Sequence, residues 1–132
     1  MIFVDASVIV AMLAPEDDGP AFAARIEGGE GVQVSPVVIW EAVIALARIR
    51  RSPIEVAERS VSAFLEDVAA ETIPIDAAIG TAAIDAFARY GKGRHAAALN
   101  MGDCFAYACA RSRNIPLLAK GDDFTHTDIK RA

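Results

Sequence analysis

No run of consecutive apolar residues in this chain approaches the roughly 18 that a membrane-spanning helix needs, so a span is not expected. The start, Met1-Ile2-Phe3-Val4-Asp5, has no basic stretch and meets an acid at once, which is not the pattern of a signal peptide. Cysteine is scarce. The 2 present, Cys104 and Cys109, form neither a CxxC pair nor a zinc-ligand pattern, so a disulfide framework, a redox dithiol and a structural zinc are not expected. A reducing cytoplasm is the natural compartment. Internal repeats, low-complexity tracts and linkers are also lacking, which leaves one domain over residues 1–132. Positive charge is in deficit: 13 Lys and Arg against 18 Asp and Glu, a net charge of −5. Chains that grip nucleic acid through phosphates usually carry the opposite balance. The deficit weighs against such contact unless clustered carboxylates are neutralised by bound cations.

What the chain does have is apolar residues, 54% of the total with a mean hydropathy of +0.32, enough for a packed core in a domain of this size. Met1–Asp5 is expected as a buried first strand, followed by a helix over Ala6–Leu13 and a short one to about Glu27. The Gly28-Gly29-Glu30-Gly31 turn breaks that helix, and Val32–Ser35 is a second strand. Ser35-Pro36 supplies a capping hydroxyl and a proline at the first helical position, opening a helix that runs to Arg51. Ser52-Pro53-Ile54-Glu55 spells a capping box, and Ile54, Ala57, Val61, Phe64, Leu65 and Val68 mark one face of the helix behind it. Glu71–Asp76 is a third strand, with Asp76 capping a helix whose inner face is Ile79, Ala83, Phe87 and Tyr90. A last helix carries Asp103 to about Arg113, and Ile115–Ala119 is a buried final strand. Trp40 and Tyr107 are expected in the core. Short strands alternating with helices predict an α/β fold in three layers, with a central parallel sheet covered on both faces.

Several carboxylates stand in apolar surroundings. Asp5 closes Ile2-Phe3-Val4 and so falls at the carboxyl end of a strand, where open α/β sheets bind their ligands. Glu41 is the one acid in Pro36–Ala47, a helix with almost no polar face; burial there demands a partner or a function. Asp103 interrupts Leu99–Ala110, and Asp122 and Asp123 follow the last strand. Each has an ordinary structural reading as well: a helix cap for Asp5 and Asp103, a loop turn for Asp122-Asp123, an ion pair with a distant arginine for Glu41. Acids drawn from four places onto one site would repel unless cations held them, and oxygen-only donors select hard ions such as Mg²⁺ or Mn²⁺.

Asp5-Ala6-Ser7, the isolated Glu41, Asn100-Met101-Gly102-Asp103-Cys104-Phe105-Ala106-Tyr107 and Leu117-Leu118-Ala119-Lys120-Gly121-Asp122-Asp123-Phe124 together resemble the PIN-domain ribonucleases. More narrowly they are similar to the VapC toxins of bacterial VapBC toxin–antitoxin modules. The resemblance covers essentially the whole chain. It implies a Rossmann-like α/β/α fold and an Mg²⁺-dependent endoribonuclease, Mn²⁺ being an alternative metal, that cuts tRNA-class or other structured RNA and so inhibits translation and growth. It further implies that Asp5, Glu41 and Asp103 match the metal-binding acids, with Ser7 as the hydroxyl beside the first. Many relatives carry an aspartate where this chain has Gly121, so the fourth place passes to Asp122, or else to Asp123. A homodimer, and a VapB-type antitoxin lying across the active-site groove, are implied in the same way.

Other chemistries fit less well. His95 and His126 lie in polar stretches without ligand-spaced partners and read as surface residues. Gly91-Lys92-Gly93-Arg94 is not a phosphate-binding P-loop; its basic residues, with Arg48, Arg50, Arg51, Lys130 and Arg131, are available to meet phosphates. A receiver-type phosphotransfer domain would use Lys120 but needs an acidic pair near Asp5. A haloacid-dehalogenase phosphatase needs Asp-x-Asp where this chain has Asp5-Ala6-Ser7. A non-catalytic interaction module on the same fold is favoured by Gly121 and opposed by the intact Asp5, Glu41 and Asp103.

Overall fold

Residues with branched or aromatic side chains, interrupted by one glutamine (Gln33), form the centre of the sheet. The computed structural model describes residues 1–29 and 31–132, so the turn at 28–31 falls partly outside the described residues, at Glu30. β1 (Ile2–Val4) and β2 (Val32–Val34) are buried at every position, as strands covered on both faces must be. β3 (Glu71–Thr72) and β4 (Leu117–Leu118) complete a parallel sheet that has four strands among the described residues, in the order β3-β2-β1-β4. Ile2 pairs with Val32, Phe3 with Gln33 and with Leu117, Val4 with Leu118, and Gln33 with Glu71. The chain moves outward from β1 to β3 and returns to the other side of β1 for β4. The carboxyl ends of β1 and β4 therefore flank a topological switch point, the place where such sheets open a ligand crevice.

Helices flank this sheet: α1 (Ala6–Leu13), α2 (Gly19–Glu27), α3 (Pro36–Arg50), α4 (Ile54–Asp67), α5 (Ala77–Tyr90) and α6 (Met101–Arg113). Ser35 caps α3, its hydroxyl oxygen accepting from the Val38 N–H at 3.2 Å, and Asp76 caps α5 by accepting from the Ile79 N–H at 2.9 Å. Phe3, Val8, Ile9, Val34, Leu46 and Leu117 are among the fully buried side chains of the core, and Tyr107 is buried as expected. No helix among the described residues is long and apolar enough to cross a membrane, and both cysteines are buried free thiols.

Several local expectations need correction. The outer strands are shorter than the apolar runs that suggested them. Beyond β3 the Ile73 N–H still donates to Val34 O at 2.9 Å, but Pro74 has no N–H to continue the ladder. Before β4, Pro116 contributes only its carbonyl, which accepts from the Phe3 N–H at 2.9 Å. The box at Ser52 does not close: Pro53 takes the cap position of α4 without a side-chain bond, and Ser52 Oγ donates to the Pro53 carbonyl instead. Trp40 is 61% exposed, and Ile54 and Phe87 also reach solvent, because helices this rich in apolar residues present more of them than one core can cover.

Candidate active site

Asp5 is the residue immediately after β1 and the cap of α1. Burial at 7% exposure would be costly for a carboxylate without partners, and Ser7 supplies them. The Ser7 N–H and hydroxyl donate to Asp5 Oδ2 at 3.1 and 2.6 Å. Ser7 is held in turn from β4, where the Lys120 backbone N–H donates to Ser7 Oγ at 3.0 Å and the Asp5 N–H donates to Leu118 O at 2.9 Å. The cap reading of Asp5 and its place at the sheet's carboxyl edge are thus both realised. Burial pushes its pKa up while the Ser7 bonds oppose the rise.

Asp103 enters from the first turn of α6. Asn100 Oδ1 accepts from the Asp103 N–H at 2.9 Å, and Asp103 Oδ2 accepts from the Asn100 N–H at 3.1 Å, a reciprocal capping box. This commits one carboxylate oxygen and fixes the orientation of the group. Its pKa is pushed up to about 6, first by burial and then by the charges of Asp5 and Asp123, against the Asn100 bond that lowers it. Glu41 comes from the second turn of α3. Its pKa is pushed up to about 7 by burial, then by the charges of Asp5 and Asp103. Among the described residues no arginine forms an ion pair with it; the neighbouring charges that shift it are two more acids.

These acids share an open cleft of about 550 Å³ lined by Asp5, Ser7, Glu16, Trp40, Glu41, Arg48, Asn100, Asp103 and Lys120 among others. At its rim Lys120 Nζ donates to Glu16 at 2.7 Å and to Asp18 at 3.3 Å. Neither His95 nor His126 is part of the lining, and both are exposed. The structure thus brings Asp5, Glu41 and Asp103 together. Asp122 and Asp123, which follow Lys120 after β4, are not part of the lining. Asp122 uses its backbone carbonyl to accept from the Thr125 N–H at 2.9 Å, and the charge that reaches Asp103 from this loop is that of Asp123. Arg131 fastens the loop, donating to Ala119 O at 2.9 Å and Gly121 O at 3.0 Å. Gly121 adopts a φ of 85°, a left-handed turn that glycine takes readily.

Sequence reasoning passed over Glu16 and Asn100 as parts of the site, named Arg48 only among the basic residues available to phosphates, and placed Trp40 in the core. Asn100 was within reach, since Asn-x-x-Asp ahead of an apolar helix has the form of a reciprocal cap. Glu16 carried no signal, being a loop acid, and nothing set Arg48 apart from the other arginines named with it.

The donor chemistry suits a hard divalent cation: three carboxylates, one hydroxyl and one side-chain amide, with no thiol or imidazole. Among the described residues no three acid, imidazole or thiol groups close into a ready-made cage.

Known proteins with this sequence pattern and fold are as follows. The family description "PIN domain" matches residues 2–130. A VapC ribonuclease of Rhizobium meliloti is 44% identical over 141 residues, covering 98% of this chain and 99% of that protein. The crystal structure of VapC20 from Mycobacterium tuberculosis, described as a Sarcin-Ricin loop cleaving toxin, aligns with a TM-score of 0.79 at 18% identity, covering 100% of this chain and 98% of that one. A toxin–antitoxin complex from Klebsiella pneumoniae aligns with a TM-score of 0.73 at 14% identity, covering 97% and 93%. At those identities the two structures establish a shared fold.

Proposed function

This chain belongs to the PIN-domain family, within its VapC ribonuclease branch, and from that premise we propose that it is an Mg²⁺-dependent endoribonuclease, the toxin of a toxin–antitoxin module that inhibits translation and growth. The observation that carries the reading is the convergence of Asp5, Glu41 and Asp103 on one cleft at the carboxyl end of the sheet, where burial and mutual repulsion raise the pKa of Glu41 to about 7 and that of Asp103 to about 6. Asp5 and Asp103 hold the divalent cation, Mg²⁺ or Mn²⁺. Glu41 binds it directly or through water, and an acid of the loop after β4, Asp122 or Asp123, completes the set.

The chemistry such a cation supplies when bound is activation of water for in-line attack and neutralisation of the charge that builds on the phosphoryl oxygens. The chain's own residues prepare the ground for it. Ser7 keeps Asp5 Oδ2 oriented, and the Lys120 N–H keeps Ser7 in place. The Asn100 cap turns Asp103 into the cleft. Arg48 brings positive charge to the lining, where the phosphate backbone would pass, while the Lys120 ammonium is committed to Glu16 and Asp18 at the rim.

The substrate class proposed is tRNA-class or other structured RNA. The partner proposed is a VapB-type antitoxin bound across the groove, with the chain acting as a homodimer in the cytoplasm, where two free thiols stay reduced. A groove lined by Pro36, Ile39, Trp40, Val43, Ile44 and Ile54 supports an apolar partner segment, since Trp40 and Ile44 also line the acidic cleft.

Incubation of the purified chain with structured RNA, with Mg²⁺ or with EDTA, tests the proposal. Internal cleavage is expected with Mg²⁺ only, and Asp5→Asn is expected to reduce it to background while the melting curve stays cooperative. Metal-independent cleavage, or full activity in Asp5→Asn, would overturn the assignment. Specific RNA binding without cleavage would favour a non-catalytic module.

A further inference from the structure

Gly102 is the second residue of α6, adjacent to Asp103, and its φ is not among the left-handed glycine values of the described residues. The backbone there accepts any residue, and alanine is the better helix former. What a side chain would meet is Glu41. A Cβ built on Gly102 falls onto the Glu41 carboxyl group, far inside van der Waals contact with both its oxygens and its carboxyl carbon. The carboxylate of α3 therefore occupies the space that any other residue at position 102 would fill.

We propose that Gly102 is a positioning residue for metal binding: its missing side chain forms the slot that seats the Glu41 carboxylate against the first turn of α6, beside Asp5 and Asp103. The inference rests on the metal-binding reading of these acids given above. Glu41 reaches the slot with the far end of a flexible side chain. A methyl group at position 102 is thus expected to push the carboxylate aside rather than to disrupt the helix, so that geometry is lost and the fold is kept.

Thermal melts of the whole chain with Mn²⁺ or Mg²⁺ alone, and in EDTA, read this without any substrate. Gly102→Ala is expected to melt in EDTA at or above the wild-type temperature. Its apparent metal affinity, taken from the rise in Tm on titration, is expected to fall about tenfold or more, the size seen when a ligand's support is removed. In a Glu41→Ala background the same substitution should leave the residual metal response unchanged. An undiminished response in Gly102→Ala beside a responding wild type would overturn this inference and leave the site reading standing. A wild type with neither metal response nor metal-dependent cleavage would overturn both. Should Gly102→Ala melt early in EDTA, recovery in the Glu41→Ala, Gly102→Ala pair marks the clash with Glu41 and supports the slot; a loss that persists assigns the glycine to helix packing and overturns it.

Discussion

Asp5, Glu41 and Asp103 were legible as chemistry because each breaks an apolar run, even though Asp5 and Asp103 also serve as helix caps. Their neighbours were not. Gly102 is informative only through a side chain sixty-odd positions earlier in sequence, a relation that spacing cannot express. Trp40 was misread because a helix apolar on every face gives no hint of which face remains uncovered. Glu41 also offers the clearest residue-scale test. In the folded chain it binds its proton at about 7 and Asp103 at about 6, against ordinary values of 4.5 and 3.8. Between those limits the native state holds more protons than the unfolded state, so the metal-free chain should lose stability as the pH rises from about 4 to about 7, and stay at the lower level above that. Glu41→Gln should flatten this dependence and raise the Tm in EDTA at pH 8 by about 2–5 °C, corresponding to about 1 kcal/mol after screening by solvent, while depressing RNA cleavage. Melts at pH 5 and pH 8 check it. A large destabilisation by Glu41→Gln would instead mark an acid that holds the fold together.

At the scale of elements, the caps that rest on a side chain followed by a helix start, Ser35 and Asp76, were readable because the sequence motif is the whole interaction. The box at Ser52 was not, because Pro53 shifts the helix start by one residue. The loop after β4 is the element whose function depends most on a distant contact. Its sequence offers Asp122 in place of the aspartate that Gly121 displaces, whereas the charge of this segment that helps to raise the Asp103 pKa is that of Asp123. Arg131 holds the loop in that form through the Ala119 and Gly121 carbonyls. Asp123→Asn is therefore expected to weaken Mg²⁺-dependent cleavage more than Asp122→Asn, with part of the deficit relieved by excess metal. Arg131→Met should reproduce the same metal-relievable deficit without touching an acid. Cleavage assays across a Mg²⁺ titration give the order; a larger effect of Asp122→Asn would turn the loop's other carboxylate inward.

For the molecule as a whole, the alternation of strands and helices was enough to foresee a covered parallel sheet, but not the order in which its strands lie, which depends on how the crossovers return. Nor could periodicity foresee which apolar surface stays bare. On α5 and α6, Ile84 is 73% exposed and gathers with Phe87 and Met101, an apolar patch of the kind that oligomer interfaces cover. If the proposed homodimer uses it, Ile84→Glu should yield a monomer by light scattering while the melting temperature changes little; a variant that stays dimeric would move the interface elsewhere. The strand order has a further consequence, one of timing. β4 must slot beside β1, and Arg131 must reach back to the loop that follows, before Ser7 receives the Lys120 N–H and the acids are complete. A ribosome making this chain delivers Asp5 and Glu41 early and the segment from Leu117 to Arg131 late. Until that segment has cleared the exit tunnel, the nascent chain lacks the edge of the sheet against which its active site is built. The parallel topology thus delays completion of the proposed active site until β4 and the segment behind it have emerged.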